Sequence, residues 1–473
     1  MARYIKKFFL ICGVLLCVGC GKDIDKDNVN NGTSDNISQE EITHENMQNS
    51  GDYFKNVNIV QDYNPNSSYI EQIKITIDND LMYSIVHDNT LGVNYIYVAD
   101  FKTGVQMPLC SKIDCSHNND RCNAYIGGTK DEKINVSNIY SIDNVIYIFG
   151  EKVKTENYSN SNSEYFLMRI SSDGSIREDL GTILTVYGDS KDTIKEGSLF
   201  HRGFLYYVVG EGKISTNGND IGGSVANKIY RYSIDGSGKP ECIYDFSYSK
   251  EQMDVELSVM LAAQGENLYV RQTVTVLGDN NYFKQEYEEY KINTDTLEKE
   301  KTDTGINYCS QTERNSLLCV NRYNTSGDIA VSETNAQLEY EEMCRMQKMS
   351  FYNNTTKEIK NLTEKHIEDD EWFDINDFWV TDKYICLNAT KINGGNAGTY
   401  IFDFEWNLIK KLDDIDRIDH CFGEYIIWHE SSDDGRIYYM ADIEACLSGN
   451  KRYGEVFRVK DTSTDVNRYI YKE

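Results

Sequence analysis

Gly203-Phe204-Leu205-Tyr206, followed by Ile229-Tyr230-Arg231-Tyr232-Ser233-Ile234-Asp235-Gly236, decides the fold. The first segment is a turn residue and then a short aromatic-aliphatic run. The second alternates Ile and Tyr with polar residues and ends in an Asp-Gly turn. Alternation with a period of two, in β-branched and aromatic residues bounded by Asp and Gly, is the signature of strands.

The phrase recurs along the chain. Its opening appears as Asp80-Leu81-Met82-Tyr83, Asn144-Val145-Ile146-Tyr147 and Glu266-Asn267-Leu268-Tyr269, and more weakly at Gly327-Asp328-Ile329-Ala330, Asp382-Lys383-Tyr384-Ile385 and Gly423-Glu424-Tyr425-Ile426. Aligned on Tyr83, Tyr147, Tyr206, Tyr269, Ala330, Ile385 and Ile426, the copies step by 64, 59, 63, 61, 55 and 41 residues. The partner strand recurs at 95–100, 166–170, 287–292, 349–353, 400–404 and 456–459. Strand-only content at one period predicts radial repetition, an all-β propeller of four-stranded blades. The count is about seven, with six or eight as neighbouring counts because the fifth copy is weak. A pair of β-sandwiches is the rival fold, and the single even repeat argues against it. Residues 54–60 and 468–471 are candidate ring-closing strands, and Leu338 to Met349 reads as a short helix or an outer strand.

The N-terminus is an address. Met1 to Lys7 is basic, and Phe8 to Gly19 is entirely apolar, Gly or Cys. Twelve residues span about 18 Å as a helix, too short for a bilayer core of roughly 30 Å. Leu16-Cys17-Val18-Gly19-Cys20 resembles a bacterial lipobox, which implies cleavage before Cys20 and acylation of its sulfur; the family places Leu where Cys17 stands. Ordinary signal-peptidase cleavage near Gly19 is the other reading. The expected organisation is a lipoprotein signal peptide over 1–19, lipidated Cys20 and a flexible Asn/Asp/Ser-rich linker over 20–51, and the propeller over 52–473. The expected location is the outer face of the bacterial cytoplasmic membrane.

The whole chain has 473 residues and a formal charge of −28, and without residues 1–19 it is near −31. Such acidity opposes nucleic-acid binding, which needs Lys and Arg on phosphates. The signal, linker and repeat together resemble Firmicute-type surface lipoproteins with a Tyr-rich β-propeller, distantly similar to the TolB and YWTD propellers. The resemblance is architectural. It brings no catalytic residues with it, and fold alone does not give function.

The sharpest local cluster is Cys110, Cys115, His117 and Cys122, spaced Cys-x4-Cys-x-His-x4-Cys. Three Cys and one His in 13 residues could complete a tetrahedral zinc site. A disulfide, Cys110–Cys122 or Cys115–Cys122, with one thiol left over is the rival, and a loop with neither is the third reading. A similar phrase follows the first blade in the lipoproteins named above. Cys319 and Cys386 read as small core residues, and Cys309 and Cys319 flank a hairpin and are a candidate pair.

The second cluster runs from Glu368 to Trp379 and holds six acids and two of the four Trp. Acids beside aromatics suit a sugar, an amine or calcium, which makes Trp372, Asp374, Asp377 and Trp379 candidate ligand contacts. The plain alternative is an inter-blade loop whose aromatics plug the blade interface. Ser431 to Tyr438 faintly matches an Asp-box turn, with Ser171 to Gly174 and Ser233 to Gly236 as partial echoes; Asp/Gly hairpin turns explain all three. None of the seven His lies in a zincin or nucleophile-elbow motif. The leading expectation is a non-catalytic, lipid-anchored propeller that binds an extracellular ligand or envelope protein. The alternative is an extracellular hydrolase acting on glycan or peptide at the propeller axis. No cofactor is firmly implied beyond zinc or calcium at these two clusters.

Overall fold

In the computed structural model, the described residues are Phe54 and most of 75–460; within that span 213–223, 330–347 and 363–372 are the longest intervals outside it. The expected signal peptide, Cys20, the linker, the closing strands apart from Phe54, and nearly all of Leu338 to Met349 therefore lie outside the described residues.

The molecule is all-β, built as a propeller from antiparallel sheets that follow one another along the chain. The first contains β1 (Ile75–Asp78), β2 (Leu81–Asp88), β3 (Val93–Asp100) and β4 (Val105–Pro108), with β5 (Tyr125–Gly127) added on β3. The second is β6 (Glu132–Ile142), β7 (Val145–Thr155), β8 (Ser161–Ser171) and β9 (Arg177–Val186). The third is β10 (Asp192–His201), β11 (Phe204–Gly212), β12 (Ser224–Ser233) and β13 (Glu241–Ser247). The fourth is β14 (Val255–Gln264), β15 (Asn267–Leu277), β16 (Phe283–Asn293) and β17 (Lys299–Thr302), with β20 (Gly327–Ile329) added on β16. The fifth is β18 (Ile306–Gln311), β19 (Asn315–Val320), β21 (Lys348–Asn353) and β22 (Ile359–Asn361), with β18 and β19 described by backbone alone. The sixth is β23 (Phe373–Val380), β24 (Ile385–Lys391), β25 (Ala397–Phe402) and β26 (Leu408–Leu412). The last is β27 (His420–Phe422), β28 (Tyr425–Ser432), β29 (Gly435–Asp442) and β30 (Tyr453–Lys460), with the short helix α1 (Ile443–Ser448) before β30.

The turns explain why each phrase folds as a meander. First and second strands join through two-residue loops with positive φ: Asp143 and Asn144 at 47° and 63°, Arg202 and Gly203 at 45° and 79°. These are the angles of the type I′ turn, whose twist matches that of the flanking strands. Third strands end in a side-chain-capped turn. Asp173 Oδ1 accepts from Ser171 Oγ and Ser175 N, and Asp235 Oδ1 from Ser233 Oγ and Ser237 N. Asn293, Asn353 and Asp403 accept from backbone N–H groups two to four residues on. The echoes of an Asp-box are thus turn chemistry. A bond from the end of the third strand back to the first turn closes the unit, as in Ser172 N to Asn144 O and Ile234 N to Gly203 O.

Sheets pack face to face, and the core lies between them. Leu199, Tyr206, Val208 and Ile229 of the third sheet meet Val259, Leu261, Leu268 and Val270 of the fourth. Tyr83 and Ile96 of the first meet Ile146, Ile148 and Phe166 of the second. The leading strands also touch in series, β1 with β6, β6 with β10, β10 with β14, β14 with β18, β18 with β23 and β23 with β27. Side chains stitch these strands: Asn138 Nδ2 donates to Ser198 O at 2.9 Å, and His201 Nε2 donates to Gly265 O at 2.6 Å.

Three sequence expectations are corrected. The weak fifth copy at 327–329 is not a second strand. It is β20, which extends the fourth sheet by pairing with Phe283 to Gln285, while β19 takes the second place in the fifth sheet. The segment 456–459 belongs to the outermost strand, β30; the third strand of the last sheet is β29, and Ser432 opposite Gly435 puts Ser431 and Ser432 at the end of β28 and Gly435 to Tyr438 at the start of β29. The acidic-aromatic segment is not wholly a loop, because from Phe373 onward it is the leading strand β23.

Candidate functional site

Residues 109–124 leave and re-enter the first sheet at one place. Leu109 N donates to Ile96 O at 3.0 Å, and Ile96 N donates to Ala124 O at 2.8 Å. Between these ends the chain makes tight turns, with Cys115 N on Lys112 O and Cys122 N on Asn119 O. The turns draw Cys110, Cys115, His117 and Cys122 together, their donor atoms all within 4.8 Å of one another. His117 has φ 54°, a left-handed conformation that costs a non-glycine residue about 1 kcal/mol. In that conformation His117 Nδ1 lies 3.3 Å from Cys122 Sγ.

All three cysteines are thiols. Burial pushes the Cys110 thiol up, but amides of Lys112 and Asn123 donate to its sulfur and leave it below the ordinary value. Burial, together with charge on Cys110, pushes Cys122 up to about 12.

The second sheet holds this loop. Arg177, first residue of β9, donates to the carbonyls of Cys122 at 3.1 Å, Asp120 at 3.3 Å and Tyr125. Asn123 Nδ2 donates to the Gly174 and Ser175 carbonyls, both at 2.8 Å. Gly174 has φ +68°, and a Cβ there would lie 2.7 Å from the Cys110 nitrogen. Gly174→Ala therefore combines left-handed strain with a clash against backbone, an expected loss of about 2 kcal/mol read from thermal melts. An unchanged melting temperature would show that the loop does not seat on this hairpin.

The second cluster divides. Trp372 lies outside the described residues, and Asp374 is placed by its backbone alone, opposite Thr390. Trp379 is a core residue, 1% exposed. Asp377 is buried and pairs with Arg417 at 3.1 Å, whose side chain is 63% exposed. Asn388 Nδ2 donates to Asp377 Oδ2 at 3.0 Å and to Ile418 O at 2.7 Å, while Ile418 N donates to Asn388 Oδ1 at 2.9 Å. Asn388 thereby fixes the backbone between Arg417 and Asp419. Asp419 Oδ2 lies 2.6 Å from His429 Nδ1, both part-exposed. No short motif marks Arg417, Asn388 or His429: Asn388 and Arg417 each reach Asp377, and His429 reaches Asp419, all from distant places in the sequence.

Elsewhere Cys386 and Cys421 are buried in one core with Cys446. Register sets Cys309 opposite Leu318 and Cys319 opposite Tyr308, so the candidate pair is not in direct opposition. Among the described residues no helix is long and apolar enough to cross a membrane.

No family model matches the chain, and no curated protein does. Among solved structures it is similar to oligopeptidase B from Leishmania major, at 9% identity and TM-score 0.39, over 85% of this chain and 50% of that one. The dipeptidyl peptidase 4 of Porphyromonas gingivalis matches at 10% identity and TM-score 0.39, over 81% and 59%. An exo-1,5-alpha-L-arabinanase from a bovine ruminal metagenomic library matches at 9% identity and TM-score 0.28, over 63% and 98%. The chain thus spans only 50% and 59% of the two peptidases. Likeness this distant bears on neither activity nor ligand.

Proposed function

We propose that this chain is a Firmicute-type extracytoplasmic lipoprotein, anchored through acylated Cys20, whose propeller binds an extracellular ligand or envelope protein. Support for the anchor is the basic, apolar and lipobox-like sequence of residues 1–20. Two acyl chains would hold it firmly where one is marginal. Cys20→Ser is expected to move the protein from the membrane fraction to the medium; retention in the membrane fraction would reject the anchor.

The observation that carries the binding reading is the Asn388 clamp. It presents Arg417 to solvent from a fixed backbone while Asp377 holds the guanidinium from beneath. A guanidinium fixed in this way suits carboxylate or phosphate groups of a cell-wall glycan or protein. Arg417→Ala should weaken capture of such a ligand about tenfold or more, on the scale of a charge-assisted hydrogen bond. Binding of cell-wall, glycan and protein panels that is indifferent to Arg417→Ala would sink this site.

The 2.6 Å contact between His429 and Asp419 favours a second reading, a hydrolase of glycan or peptide. A carboxylate orients an imidazole and stabilises its cation, the arrangement of a general base. The hydrolase reading requires that His429→Ala abolish turnover of such a substrate; binding without turnover in the unsubstituted protein supports the first reading.

A further inference from the structure

We propose that Cys110, Cys115, His117 and Cys122 form a four-ligand structural zinc site that rivets the first sheet of the propeller to the second. In a closed tetrahedron with Zn–S near 2.3 Å and Zn–N near 2.0 Å, ligand atoms stand roughly 3.5–3.8 Å apart. The four donors here lie within 4.8 Å of one another and His117 Nδ1 is already 3.3 Å from Cys122 Sγ. Contraction of about 1 Å at most closes the shell. Three thiolates and an imidazole are soft and borderline ligands, which suit zinc and disfavour calcium, an ion that takes oxygen.

A disulfide accounts for less of this geometry. It would use two of the three sulfurs and has no need of the imidazole. Yet His117 adopts φ 54° and sits in the cluster. The surroundings also fit a metal-thiolate centre. Zinc binding releases three thiol protons, and the resulting Zn(Cys)3(His) unit carries one net negative charge. Arg177 and Lys112 bond to carbonyls of the same loop and supply compensating positive charge. Arg177 reaches in from β9, and Asn123 reaches out to the Gly174 and Ser175 carbonyls. These links make the loop the joint between two blades. Four protein ligands leave no open coordination position, so the role is structural, not catalytic.

The test uses the full chain, purified in detergent under reducing conditions and given one equivalent of zinc. Elemental analysis after gel filtration should find about one zinc per chain, and cobalt in its place should give the intense visible and charge-transfer bands of tetrahedral cobalt thiolate. Cys115→Ser and His117→Ala should each weaken retention about tenfold or more, and His117→Cys should restore it. Cys242→Ser, an exposed thiol on the third sheet, should change nothing. Far-UV circular dichroism separates lost metal from lost fold, and the His117→Cys variant keeps the ligand count at four. A reduced chain that retains no zinc and shows no cobalt-thiolate bands overturns the proposal. So does zinc retention unaffected by Cys115→Ser and His117→Ala.

Discussion

Trp379→Ala should cost about 3–5 kcal/mol of stability, the range for deleting a large buried aromatic. Trp379 stands on β23 opposite Cys386 and packs with Ile401, Ile426, Trp428 and Ile443, in the core shared by the sixth and seventh sheets. Alanine leaves a cavity at the joint of two blades, where neither sheet can relax without pulling on the other. Chemical denaturation should show the loss as a fall in midpoint, and Trp379→Phe should lose less. If Trp379→Ala instead kept the midpoint and removed ligand capture, Trp379 would be a contact residue as the sequence suggested. Arg417→Ala is the complementary change: it removes an exposed guanidinium, and its cost to the fold is that of leaving the buried Asp377 carboxylate without its ion-pair partner.

Acidification should weaken the fold by roughly 3 kcal/mol between pH 6.5 and pH 4 through one side chain, His420. His420 opens β27, is buried, and burial lowers its pKa from 6.5 to about 4, against a smaller opposing pull from Asp419. The sign follows from proton binding. Below pH 6.5 the unfolded chain takes up a proton at His420 that the folded chain refuses until about pH 4. Folding therefore loses stability as pH falls through that window, and above it the group contributes no pH dependence. His420→Leu should flatten the melting temperature across pH 6.5 to 4. An equally steep decline in that variant would assign the acid sensitivity to other groups.

The strand phrase was legible in the sequence because type I′ loops and Asx-capped turns depend on local chemistry. Asn144, Gly203, Asp173 and Asp235 mark them without reference to the rest of the chain. Tyr83, Tyr147 and Tyr206 occupy equivalent, fully buried places on β2, β7 and β11, which is why the period showed. It failed at Gly327 to Ile329, because a three-residue segment with a single aliphatic side chain fits an extra edge strand as well as a blade strand. The leading strand β23 was hidden for a different reason. Near the joint of blades it carries both Trp379 in the core and Asp377 under Arg417, so its composition reads as an acidic loop. The Cys-rich cluster was visible as a spacing. Arg177 and Asn123, which tie it to the next sheet, were not, because each reaches partners some fifty residues away.

Ile96 has one more implication. Because it bonds to both Leu109 and Ala124, the cysteine loop begins and ends on a single rung of β3, with β4 and β5 taking up the strand on either side. The outer pairing on β3 therefore continues on either side of the loop, whose two ends meet on one rung. A splice from Leu109 to Ala124 would keep the hydrogen-bonding order of β3 but remove Cys122 from the core and Asn123 from the Gly174 and Ser175 carbonyls. The loop displays Ile113, 76% exposed, at the rim of the blade. Substitution is therefore expected to be tolerated at exposed Ile113 and Asp114, and not at Cys122 or Asn123, which are buried.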